Sequence, residues 1–171
     1  MYRDITWARL WSISISSVFL TAQIMIIVAA SGVFSWLLTV SGVPQTVVGA
    51  IQGLHVPQWL MLVAINVFLL IVGCLIDPTS ATLILTPLLV PIVKSLGVDL
   101  IHFGIILTVN LSIGMFTPPF GLNLFVSQAL FKAPMTTIAR GLVPFIVIQT
   151  GALAIVTYVP WLSLYLTRFV H

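Results

Sequence analysis

Charge is the scarcest property of this sequence. Only 5% of its 171 residues are Asp, Glu, Lys or Arg, and 60% are hydrophobic, for a mean hydropathy of +1.25. Soluble domains carry roughly 25% charged residues, so an ordinary soluble domain is excluded. The charges are also unevenly placed: the 84 residues between Arg9 and Lys94 hold one, Asp77. Positions 100–131 and 141–167 are further runs without a formal charge. Apolar runs longer than about 18 residues are membrane spans. The chain reads as an all-α integral membrane protein.

Other absences narrow the function. Cys74 is the single cysteine, which excludes an internal disulfide and a thiol cluster. The histidines at 55, 102 and 171 lack metal-ligand spacing, so no transition-metal site is expected. There is no glycine-rich phosphate loop ending in Lys-Ser/Thr and no enzyme constellation, so hydrolase and ATPase readings fail. No cofactor is expected. The net charge of +3 and pI near 9.5 come from six bases scattered at segment ends. They set topology rather than bind nucleic acid. The apolar stretch after residue 9 is longer than a signal-peptide core and lacks a cleavage site, so it stays as a span.

Glycines, prolines and charges punctuate what is there. A first span over 10–39 would be about 45 Å long, so it must tilt or protrude. Residues 44–55 are too short to cross and read as a connecting helix at the interface. Pro57 opens an apolar segment expected to stop at Gly73. Asp77-Pro78 then begins the next helix, with Asp77 as N-cap. The first arm, 58–72, would be about 22 Å against a hydrocarbon core of about 30 Å. The return arm, 78–95, carries Pro87 and Pro91. Two arms meeting at a polar tip (Asp77, Thr79, Ser80, Thr82) read as a re-entrant hairpin, two ordinary spans being the alternative.

Beyond Lys94, Gly97 and Asp99 the chain is apolar again to Phe131, but Thr117-Pro118-Pro119-Phe120-Gly121 interrupts it. Two prolines delete two helix donors and leave the Gly114 and Met115 carbonyls without their usual partners. The halves 102–116 and 121–131 cross only together, as one discontinuous helix; a functionless kink is the alternative. Residues 132–140 form a polar link, and a last span covers 141–166, with Tyr158, Trp161 and Tyr165 as interfacial aromatics. With residues 1–9 cytoplasmic, Arg3, Arg9, Lys132 and Arg140 lie inside, Lys94 and Arg168 outside. The hairpin is then entered from the outer side.

Non-helical backbone at membrane depth is tolerated where it lines a cavity, and paired helix breaks point to a transporter site. Freed carbonyls at 114–117, the Thr117 hydroxyl and the Asn110 side-chain oxygen suit a small hard cation. A helix starting near Pro119 would turn its positive end towards an anionic substrate group. Asp77 can ligate a cation, take up a proton or cap the helix at 78. Asn66 reads equally as a helix–helix hydrogen-bond partner or a site residue. His102, after a polar turn, reads as interfacial rather than as a proton relay, and Ser14, Ser16 and Ser17 as packing residues.

The run Gly73-Cys-Leu-Ile-Asp77-Pro-Thr…Thr86-Pro-Leu-Leu-Val-Pro91, then Leu96-Gly-Val-Asp-Leu-Ile-His102-Phe-Gly104, then Thr117-Pro-Pro-Phe-Gly121-Leu-Asn123 resembles the large membrane subunit of TRAP (tripartite ATP-independent periplasmic) transporters. Val159-Pro-Trp-Leu-Ser-Leu-Tyr-Leu is similar to that family's C terminus. The resemblance implies the second inverted repeat of an elevator-type fold. Residues 1–40 would be a scaffold-type helix and 41–57 an interfacial arm segment. Residues 58–171 would be a transport-domain half: hairpin 58–95, discontinuous helix 102–131, final helix 141–166. It implies sodium-coupled import of organic anions, commonly carboxylates, across the bacterial inner membrane, with a periplasmic solute-binding protein and a small membrane subunit.

By the same resemblance, Gly73, Asp77, Thr79, Asn110, Gly114, Thr117 and Pro118 are the sodium-site candidates. Thr117, Pro119, Gly121 and Asn123 are the substrate candidates. Only the C-terminal two-fifths of such a protein is matched. The expectation is a truncated or split product that lacks an N-terminal repeat and does not transport alone. Two alternatives are a carrier of the same superfamily without a receptor and a non-transporting membrane scaffold or interaction subunit.

Overall fold

A computed structural model describes residues 6–53 and 56–165. Arg3, the 54–55 end of the expected arm, the 166 end of the expected last span, and Arg168 lie outside the described residues. Among those described there are eight helices and no strand: α1 (Trp7–Val40), α2 (Val43–Gly53), α3 (Gln58–Leu75), α4 (Pro78–Ser95), α5 (Leu100–Gly114), α6 (Leu122–Phe131), α7 (Met135–Tyr158) and α8 (Pro160–Leu164). Four of them, α1, α3, α4 and α7, are long and apolar enough to cross a membrane. The chain is a multi-pass, all-α membrane protein.

The short helix α5 is the centre of the packing. It lies against α3, α4, α7 and α8, whereas α3 and α4 barely touch each other. The core joins Leu62, Ile65 and Leu69 of α3 to Leu85, Leu89 and Val93 of α4 through Phe103, Leu107 and Leu111 of α5. Helices α3 and α4 are therefore held together by what lies between them. Outside this core, α2 packs on α4 through Val47 and Val48, and α1 also lies on α4. A groove of about 740 Å³ remains between α1 and α4, bordered by Ser31, Ser35, Thr39, Thr82 and Thr86.

Local chemistry explains the turns. After α4 the Gly97 N–H bonds to the Lys94 carbonyl and the Val98 N–H to that of Val93, with Gly97 at φ +73°. This is the glycine C-cap in which the following apolar residue folds back, and Val98 is buried in the core. The Asp99 carboxylate then accepts from the Ile101 and His102 N–H groups, starting α5 at Leu100.

Two expected boundaries are corrected. Gly73 does not end α3, which continues to Leu75. The stop comes from Ile76, in extended conformation, and from Asp77, held extended because a proline follows it. At 18 residues the arm is about 27 Å long, so arm length no longer separates a re-entrant hairpin from two full spans. The last long helix begins at Met135 rather than 141, because extended Pro134 lends its carbonyl to the Thr137 and Ile138 N–H groups. The polar residues up to Arg140 thus form its first turns, Pro144 lies well inside it, and Pro160 closes it at Tyr158 and opens α8.

Candidate functional site

The site is built where the end of α3 meets the end of α5. A Cβ on Gly114 would lie 2.6 Å from the Gly73 Cα and strike its carbonyl carbon. A Cβ on Gly73 would lie 3.1 Å from the Leu111 Cα. The two helices touch backbone to backbone, which is why both positions are glycine. Gly73 is a contact residue, not a terminator.

The break after α5 spans 115–121. Its Pro118–Pro119 peptide is cis. The Gly114 and Met115 carbonyls do lose their helical donors, since residues 118 and 119 have no N–H. They are not left bare, however, and this corrects the expectation. The Thr117 N–H bonds to the Gly114 carbonyl at 3.0 Å and the Asn123 N–H to that of Met115 at 2.9 Å. The Gly121 N–H reaches the Thr117 carbonyl at 3.2 Å. Among the described residues, the Phe116 carbonyl accepts no backbone N–H. Gly121 is obligatory in this fold of the loop, because a Cβ there would lie 2.7 Å from the Met115 oxygen.

The remaining candidates fall around this loop. The Thr117 hydroxyl donates to the Ile113 carbonyl at 2.7 Å and is half-buried. Pro118, Pro119 and Asn123 are exposed, and Gly121 is buried. The helix expected to start near Pro119 starts at Leu122 instead, and its Asn123 amide is spent on Met115. Half-buried Asp77 caps α4, its carboxylate accepting from the Ser80 N–H at 2.9 Å. Of its three possible roles, capping is the one the structure displays. Thr79 is exposed on the same turn. The structure thus joins Gly73 to Gly114, and Thr117 to Gly121; the bonds of Asp77 stay within α4.

Four polar side chains form a buried chain that the sequence reading saw only in part. Asn110, fully buried, donates through Nδ2 to the Ile106 carbonyl at 2.8 Å and to Asn66 Oδ1 at 2.7 Å. Asn66 Nδ2 donates in turn to Thr157 Oγ1 at 3.0 Å. The Thr157 carbonyl accepts from His102 Nε2 at 3.1 Å. Asn66 is therefore a helix–helix partner. His102, in the first turn of α5, is 3% exposed and so is covered by protein there. Thr157 was missed; one threonine in an apolar helix carries no distinguishing pattern. Ser14, Ser16 and Ser17 bond to carbonyls four residues back and are exposed rather than packed inside the described residues.

A family model described as "Tripartite ATP-independent periplasmic transporter, DctM component" matches residues 1–162. The chain is 38% identical to the C4-dicarboxylate TRAP transporter large permease protein DctM of Pseudomonas aeruginosa, over 99% of this chain and 40% of that protein. It is 34% identical to the isethionate TRAP transporter permease protein DctMQ of Oleidesulfovibrio alaskensis, over 96% and 26%. It is 36% identical to the 2,3-diketo-L-gulonate TRAP transporter large permease protein YiaN of Escherichia coli, over 94% and 38%. The chain spans about two-fifths or less of the length of these relatives.

Proposed function

The chain belongs to the DctM family of tripartite ATP-independent periplasmic transporters, and on that premise we propose that it forms half of the membrane site of a sodium-coupled importer of small organic anions. The family is one of permeases, not enzymes. The relatives' names include a dicarboxylate, a sulfonate and a sugar acid. Their shared chemistry is a small polar anion, and this supports the substrate class.

The observation that carries the reading is the Gly73–Gly114 crossing beside the non-helical loop 115–121. Re-bonded carbonyls keep a second lone pair each, so the loop still offers several oxygens to a hard cation. Thr117, Asn110 and the carbonyls around Gly114 and Phe116 are the inner candidates, with Asp77 and Thr79 across the hairpin tip. Pro118 follows Thr117 on the cation side, and Pro119, Gly121 and Asn123 border the side from which an anion would approach. A bound cation would offset the anion's charge, and so couple their binding. In this reading α1 and α2 serve as scaffold and arm, and α3 to α7 form half of a moving domain in the inner membrane. A periplasmic solute-binding protein and a small membrane subunit would complete the system.

Thermal unfolding of the purified chain in detergent tests the cation half directly. Sodium at ten times its dissociation constant should stabilise the chain by about 1.4 kcal/mol. Potassium and choline should not, and Thr117→Val should abolish the difference. Equal melting in all three salts would refute the reading.

A further inference from the structure

We propose that Asn66 and Thr157 are positioning residues that lock the axial register of α3 against α5, and through it the placement of the hairpin tip against the loop 115–121. Asn66 and Gly73 are seven residues apart on α3, and Asn110 and Gly114 four apart on α5, so each pair shares a helix face. The seam between these helices thus has two fixed points. The glycines set how closely the backbones approach. The asparagines tie the helices a second time, with a directional bond away from that crossing. The glycine contact already opposes sliding, because a residue with a Cβ carried into it would clash; one contact still leaves the helices free to pivot about it, and a second, short directional bond removes that freedom. Buried asparagines fix register in coiled coils by the same physics.

The direction of every bond in the chain is determined. The Ile106 carbonyl can only accept, so it must face the Asn110 amide nitrogen. The other hydrogen of that nitrogen goes to Asn66 Oδ1, which turns the Asn66 amide towards Thr157. Both Asn110 donors are thereby spent, and its Oδ1 is left buried with no partner. A bare acceptor in the interior is costly, so this oxygen favours any donor or cation that can reach it. Asn110 lies one helical turn from Gly114, where the α5 ladder ends. The lock therefore does two things: it holds the register, and it keeps the Asn110 oxygen free for a cation. The second role rests on the sodium reading above; the first does not.

Spin labels at Ile76→Cys and Phe120→Cys, in a Cys74→Ser background, report the tip-to-loop distance by electron paramagnetic resonance; both positions are exposed. The parent should give one narrow distribution. Asn66→Leu, which keeps the side chain's bulk, should broaden it or add a second distance while helix content stays unchanged. Thr157→Val, equal in volume, should act in the same direction and carries the test if Asn66→Leu does not fold. An unchanged distribution in a folded variant overturns the register lock. In the unlabelled chain, sodium half-saturation should rise about tenfold in Asn66→Leu, as for loss of a residue orienting a metal ligand. If the parent shows no sodium response, the sodium reading and the cation role fall together, and the distance result still decides the register. If the parent responds and Asn66→Leu responds at the same concentration, the cation role alone is overturned.

Discussion

Helices α1 and α5 differ as much as two helices of one chain can. The first has 34 residues, and of its described side chains only Ser31 is buried; the second has 15 residues, eight of them buried. α1 begins after Thr6 with no side-chain cap, while α5 has an aspartate cap and a glycine-bounded end. The polar groups differ as well. The hydroxyls of α1 turn back onto its own carbonyls, whereas Asn110 and His102 of α5 reach α3 and α7. Hydropathy finds α1 at once and rates α5 too short to cross. A membrane chain's most obvious helix is therefore not its organising one: where lipid is as apolar as leucine, close backbone contact and buried hydrogen bonds decide what packs in the middle.

The contrast is broken most severely at Gly114. Alanine there drives a methyl into the Gly73 backbone, where no side chain can yield. Gly114→Ala should cost about 3 kcal/mol, the upper end for overpacking a close contact. Chemical denaturation in mixed micelles, followed by helix content, measures it. A loss below a few tenths would mean that α3 and α5 do not touch at these glycines.

The sequence made seven of the eight described helices and the two breaks legible, because prolines and glycines act locally; α8 was read as the end of the last span. Asp77-Pro78 announced a helix start through capping chemistry, and that cap is formed; Asp99, read only as part of a polar turn, proves to cap α5. What was not legible needed neighbours. Gly73 looked like a stop signal, since its use as a contact depends on Gly114, 41 positions away. The bare carbonyls expected after Gly114 were taken up by the Thr117 and Asn123 amides once the loop closed. His102 follows a polar turn in sequence, and only the fold shows that its ring bonds to the Thr157 carbonyl of α7. The residues around the two breaks were thus readable, but not the bonds among them.

A smaller effect separates the two helix starts. Asp99→Ala removes the acceptor for two α5 amides and should cost about 1 kcal/mol. Thr6→Ala removes no side-chain bond at the start of α1 and should fall within about 0.5 kcal/mol of zero. Paired unfolding curves of the two variants test this. Equal losses would show that α5 does not depend on its cap and would weaken its place as the organising helix.

The smallest expected change has the opposite sign and bears on what α1 faces. A Cβ on Gly32 would meet nothing within 4 Å, although this glycine borders the groove between α1 and α4. Mid-helix glycine is destabilising by roughly 0.5–1 kcal/mol relative to alanine. Gly32→Ala should therefore stabilise the isolated chain by about 0.5 kcal/mol, and the same unfolding measurement reads it. The sign is the informative part. A gain fits a helix whose flank meets only lipid or the open groove, as the geometry of this chain has it. A loss would mean that another surface packs on α1 closely enough to exclude a methyl group, and α1 would then resemble α5 in depending on a glycine contact.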